Sequence, residues 1–82
     1  MKKIILYSQP ECPPCDIVKL FFKEHGVSYQ EKNIKSDPVA YQELTGKFQS
    51  YSTPTVIIND TVIAGFDLEK LSELLDIPAA RQ

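Results

Sequence analysis

Two consecutive prolines separate two cysteines at residues 12–15, inside the stretch YSQPECPPCDIVKLFF that covers residues 7–22. Proline fixes φ and lacks an N–H, so neither Pro13 nor Pro14 fits a helix interior or a central strand. Both fit the first turn of a helix, where the N–H groups have no internal partner. The run before them, KKIILY, is short, apolar and β-branched. That suits a strand covered on both faces. After them, Ile17, Val18, Leu20, Phe21 and Phe22 put a broad apolar face on a helix over residues 13–25. The cysteine pair therefore falls where a strand hands over to a helix.

The rest of the chain continues this alternation. Gly26 is a helix stop. Val27, Tyr29 and Ile34 mark a strand over 27–34, near the sheet edge. Asp37 or Ser36 caps a second helix that starts at Pro38, carries Val39, Ala40, Tyr41 and Leu44, and ends at Gly46. A polar loop, KFQSYSTP, closes on Pro54. In TVIINDTVIAG two β-branched runs flank Asn59-Asp60, which reads as a tight hairpin. Gly65 breaks its second strand. Asp67 can cap a last helix with Leu68, Leu71, Leu74 and Leu75 as its apolar stripe, and Pro78 follows that helix. The order is β-α-β-α-β-β-α. It implies an α/β fold with a mixed four-stranded sheet between helices, the first β-α-β unit being a parallel crossover.

The chain has 82 residues, the size of one domain spanning 1–82, with 77–82 as a short tail. Its net charge is −2 and it has no dense basic run, so nucleic-acid binding has no electrostatic footprint. The apolar run near the N-terminus is shorter than a secretory signal requires, and no stretch suits a membrane helix. The expected compartment is the cytoplasm, with no membrane partner and a monomeric chain. In a reducing compartment, two close cysteines point to catalysis or metal binding rather than to a structural staple.

With Cys12 at the N-cap, Pro13 and Pro14 occupy the first two helical positions and Cys15 the third. The Cys15 N–H is then aimed at the Cys12 sulfur, and the positive helix end favours a thiolate there. Cys12 lies at the exposed end and is the expected nucleophile. Cys15 lies one turn inside and is the expected resolving thiol. Glu11 and Asp16 oppose the thiolate, and Lys19 partly offsets them. A staple across three residues closes a tiny loop and stabilises little. Structural zinc generally needs four ligands, and His25 is the lone histidine beside this single pair. A Cys-X-X-Cys between strand and helix of a β-α-β unit points to redox exchange.

The segments YSQPECPPC, STPTVIIND and AGFD together resemble the glutaredoxins and glutaredoxin-like redoxins, over nearly all of residues 1–76. The resemblance implies a thioredoxin-like fold and a dithiol–disulfide oxidoreductase with no bound cofactor, which reduces protein disulfides or glutathione mixed disulfides. It implies a cis Pro54 facing the cysteines, with the Thr53 backbone pairing an extended substrate; the residues alone are equally compatible with a trans proline that starts a strand. Glutathione-using members commonly carry two adjacent glycines, then an Asp that holds the glutathione amine. Here Ala64-Gly65-Phe66-Asp67 has one glycine and a shorter spacing, and Asp67 reads equally as a helix cap. Gly65-Phe66 resembles redoxins that draw electrons from thioredoxin reductase and pass them to ribonucleotide reductase, although their centre differs from Cys-Pro-Pro-Cys. Glutathione and thioredoxin reductase therefore both stand as electron sources, and ribonucleotide reductase as one target. Tyr7 and Phe66 are candidates for the rim of a substrate groove or for core filling, and Tyr51 is a further contact candidate. Two other readings remain: an iron–sulfur scaffold built across a dimer with glutathione, and a non-enzymatic module that keeps only the fold.

Overall fold

The computed structural model describes residues 3–65 and 67–75. Its elements are β1 (Ile4–Ser8), α1 (Pro13–Glu24), β2 (Gln30–Asn33), α2 (Pro38–Gln42) running into a π-helical turn (Glu43–Lys47), β3 (Thr55–Ile58), β4 (Thr61–Ala64) and α3 (Leu68–Leu75). The order is the expected one. The strands form one sheet in the order β2-β1-β3-β4. β1 runs parallel to β2, with Ile5 opposite Gln30 and Ser8 opposite Asn33. It runs antiparallel to β3, with Ile4 opposite Ile58 and Tyr7 opposite Thr55. β3 and β4 form the hairpin, and Asn59 takes φ +55° in its two-residue turn, a conformation Asn tolerates better than most residues.

Helices cover both faces of the sheet, and successive strand residues point to opposite faces. On one face Ile4, Leu6, Val56, Ile58 and Ile63 pack with Val18 and Phe22 of α1 and Leu71 of α3. On the other, Tyr7 and Ile57 pack with Ala40 and Leu44. All four residues of β3 are buried, as its near-continuous apolar sequence requires. Each large side chain so buried is worth roughly 1.5–3 kcal/mol, and these contacts fix where α1 meets the end of β1.

Helix α1 ends as Gly26 allows. Gly26 has φ +65°; its N–H donates to the Lys23 carbonyl, and the Val27 N–H donates to the Phe22 carbonyl at 2.9 Å. This pair of bonds satisfies the last carbonyls of the helix. It also corrects the expected strand over 27–34. The Val27 backbone is used in closing α1, so the ladder with β1 is confined to Gln30–Asn33. The apolar residues assigned to that strand flank it instead: Val27 and Tyr29 pack against the α1 face, and Ile34 against the α2 face.

The second helix is corrected as well. Asp37 caps it through Oδ1, which accepts from the Val39 and Ala40 N–H groups, and Pro38 is its first residue. Only Ala40 and Leu44 of its expected apolar face are buried; Val39 and Tyr41 are exposed. The Phe48 N–H reaches back five residues to the Glu43 carbonyl, which widens the last turn before the chain enters the loop to Pro54. Pro78 and the tail 77–82 lie outside the described residues.

Candidate active site

The turn from β1 into α1 passes through Glu11, whose φ of +56° is left-handed and uncommon for a residue that is not Gly, Asn or Asp. Cys12 follows as N-cap, with extended backbone at φ −126° and ψ 90°. Pro13 and Pro14 occupy the first turn, and the Cys15 N–H donates to Cys12 Sγ at 3.3 Å. This is the geometry expected from the sequence. The sulfurs of Cys12 and Cys15 are joined as a disulfide, with the Cα atoms 5.2 Å apart. Cys12 is 8% exposed and Cys15 0%. The order of accessibility is as expected, but Cys12 is a nearly covered residue rather than an open one.

A second group reaches that sulfur. Thr53 Oγ1 lies 3.6 Å from Cys12 Sγ, across 41 residues of sequence. The family resemblance singles out Thr53 for its backbone alone, and no local signal marks its hydroxyl. The loop that delivers Thr53 is held from beneath. The Thr55 hydroxyl donates to the Ser52 carbonyl at 2.8 Å. Since a hydroxyl has one proton, the 2.9 Å contact between Ser50 Oγ and Thr55 Oγ1 has Ser50 as donor. The Ser50 N–H donates in turn to the Leu44 carbonyl. The Thr53–Pro54 peptide bond is cis, and Pro54 is buried. Gly65, at φ +80°, donates its N–H to the Pro54 carbonyl at 2.8 Å. This ties the end of β4 to the same loop.

The other expected site residues separate. Asp67 is a helix cap: its Oδ1 accepts from the Lys70 N–H at 3.1 Å. With Ala64, Gly65, Leu68 and Glu69 it lines a shallow depression beside the hairpin. Phe66 lies outside the described residues. Tyr7 is corrected. It is 1% exposed and packs against the α2 face, and its hydroxyl donates to Glu43 at 2.8 Å. Burial and the Glu43 carboxylate raise its pKa well above the usual phenol value, so it remains a neutral donor. Its role is core and network rather than groove rim. Tyr51 is 80% exposed, two residues before Thr53.

Charges near the pair are also rearranged relative to expectation. Glu11 and Asp16 are exposed. Lys19 turns to Glu31 on β2, with Nζ 2.7 Å from Oε2, and Ser8 donates to the same oxygen at 2.6 Å. These bonds hold the Glu31 carboxyl below its ordinary range, Lys19 having the larger effect. Glu31 therefore takes up the charge that Lys19 was expected to offer the thiolate.

The family model for glutaredoxin matches residues 4–63. The chain belongs to the glutaredoxin family. Among solved structures, this glutaredoxin is similar to a point variant of a thioredoxin-like protein. The two share 52% identity and a TM-score of 0.91, over 95% of this chain and all of that one. It is also similar to the glutaredoxin of Archaeoglobus fulgidus, at 28% identity and a TM-score of 0.77, covering 92% of this chain and 87% of the other. A glutaredoxin-like 8.6 kDa protein in the rubredoxin operon of Clostridium pasteurianum is 25% identical over 73 residues, 89% of this chain and 97% of that one. The mixed four-stranded sheet and the cysteine pair at disulfide distance accord with the family's general chemistry, thiol–disulfide exchange. Among the described residues, no helix is long and apolar enough to cross a membrane.

Proposed function

We propose that this glutaredoxin is a dithiol reductant of protein disulfides, with Cys12 attacking and Cys15 resolving. In the reduced protein the Cys12 thiolate attacks one sulfur of a substrate disulfide. The substrate S–S bond breaks, its second sulfur leaves as a thiolate that takes a proton from water, and a mixed disulfide joins substrate to Cys12. Cys15 then loses its proton to solvent and attacks Cys12 Sγ. The substrate departs as a dithiol and the chain keeps the Cys12–Cys15 disulfide, the state seen here. Two electrons have moved to the substrate. An external thiol donor, either two glutathione molecules or a thioredoxin-reductase type of flavoprotein, returns them.

One observation carries the assignment of roles. Cys12 Sγ accepts from the Cys15 N–H and faces the Thr53 hydroxyl, and it retains the access that the fully buried Cys15 lacks. Donors aimed at a sulfur stabilise its anion. Cys12→Ser is expected to abolish reduction of insulin disulfides by dithiothreitol through this protein. Cys15→Ser is expected to accumulate a covalent adduct, seen by intact mass and released by excess thiol. Turnover retained by Cys12→Ser would reverse the roles.

Asp67 bears on the donor. Its Oδ1 already caps α3, and the pair of adjacent glycines common in glutathione-using members is Ala64-Gly65 here. Both favour a protein reductant over glutathione. Comparing NADPH oxidation through glutathione and glutathione reductase with that through thioredoxin reductase alone decides between them.

A further inference from the structure

The outward face of α1 carries an apolar strip, Pro13, Ile17 and Leu20, among the exposed charged residues Asp16, Lys23 and Glu24 that a solvated helix ordinarily shows. Cys15, Val18 and Phe22 point into the core. On a 3.6-residue period the positions opposite them are Pro13, Ile17, Leu20 and Glu24. Ile17 is 43% and Leu20 55% exposed, and Pro13 and Glu24 are exposed. Single exposed apolar residues are ordinary, and Val39, Tyr41 and Val62 are examples on other elements. The α1 residues differ in that they form a stripe, and the stripe begins at the residue after Cys12. At 1.5 Å per residue it runs about 10 Å from Pro13 to Leu20.

The border of the stripe is acidic. Glu11 and Asp16 stand at the sulfur end and Glu24 at the far end, all exposed. Lys19 is turned away to Glu31, which leaves Lys23 as the cation of this face.

Building on Cys12 as the exchanging sulfur, we propose that the outer face of α1 is the docking surface for the oxidised protein substrate. It selects a disulfide flanked by an apolar side chain and by lysine or arginine. Leucine-sized groups cover Ile17 and Leu20, and the partner's cations meet Glu11, Asp16 and Glu24. The chemical step is the exchange already described; the surface supplies binding before it.

Two synthetic peptides with an intramolecular disulfide serve as probes, one with Leu and Lys flanking the cysteines and one with Ser and Glu. With dithiothreitol as donor, the wild-type KM for the Leu/Lys peptide is expected to be lower by about ten-fold, and added salt should shrink the difference. The exposed double substitution Ile17→Gln with Leu20→Gln keeps helix propensity and should bring the two KM values together. The rate on bis(2-hydroxyethyl) disulfide, which is too small to reach the stripe, should be unchanged. Glu24→Lys should weaken the preference for Lys alone. Equal KM values in the wild type, or a preference that survives the double substitution, would overturn the proposal. So would a wild-type dimer that the double substitution dissociates in sedimentation velocity, because the face would then belong to a second copy. Failure of the wild type to reduce even the small disulfide would instead refute the exchange reading.

Discussion

At the scale of single residues, the chemistry centres on what surrounds one sulfur. The Cys15 N–H is a fixed donor, placed by the helix turn itself. The Thr53 hydroxyl is an adjustable one, brought from the loop before β3. When the disulfide is reduced, the hydroxyl can turn its proton toward the Cys12 thiolate, and hydrogen bonds to charged groups are the stronger kind. Thr53→Val keeps the shape and removes the donor. It is expected to raise the Cys12 thiol pKa through loss of that donor, read from the pH dependence of alkylation by iodoacetamide. Thr53→Ser should restore the lower value. A purely steric role for Thr53 would give the opposite pattern, with Val tolerated and Ser not.

At the scale of elements, the helix starts share one device. Cys12, Asp37 and Asp67 each place a side-chain acceptor in front of the free N–H groups of a helix. In α2 and α3 the acceptor is a carboxylate and serves stability; in α1 it is a sulfur, and the same geometry serves reactivity. Asp67→Ala is expected to cost about 1 kcal/mol in urea unfolding, and Asp67→Asn should recover most of that loss. If Asp67 also held a glutathione amine, Asn would restore stability but not turnover with glutathione, so the two measurements separate the roles.

At the scale of the whole molecule, β2 is the least apolar part of the sheet. Its residues are Gln30, Glu31, Lys32 and Asn33, and ion pairs tie it to both helical layers. Glu31 bonds Lys19 of α1, and Lys32 bonds Glu43 beyond α2, the latter at 2.9 Å. Both carboxyl groups have folded pKa values below the ordinary 4.5, chiefly through these lysine bonds. A depressed carboxyl pKa gives stability that is present above the unfolded value and lost as pH falls through the folded one. The edge strand is therefore expected to loosen below pH 4.5, where the unfolded chain already takes up protons. Glu31→Gln should flatten part of this acid dependence in urea titrations between pH 3 and 7. An unchanged slope would place the acid sensitivity elsewhere. The lysine partner has the opposite sense: the Lys19 pKa is raised by its bond to Glu31, so its contribution is full below the unfolded value and fades at strongly alkaline pH.

The amino-acid order by itself determined whatever rests on near neighbours. Ahead of the helical apolar pattern of 17–22 the prolines at 13 and 14 fit the first turn and not the interior, so they set the start of α1, the N-cap place of Cys12 and the approach of the Cys15 N–H. Asn59-Asp60 set the hairpin, and Gly26 the end of α1. These are bonds among residues a few positions apart, and their partners can be read from spacing. The start of β2 was less legible, because the apolar pattern of 27–34 does not reveal that the Val27 N–H is committed to the Phe22 carbonyl. The tertiary structure alone decided which distant groups meet. β1 is apolar on both faces, so alternation does not say that Tyr7 turns to Glu43 while Leu6 meets α1. The register of β1 against β3, and the loop pinned by Ser50 and Thr55, bring the Thr53 hydroxyl to Cys12 Sγ. Such pairings depend on how whole layers pack, and no short stretch of the chain contains both partners.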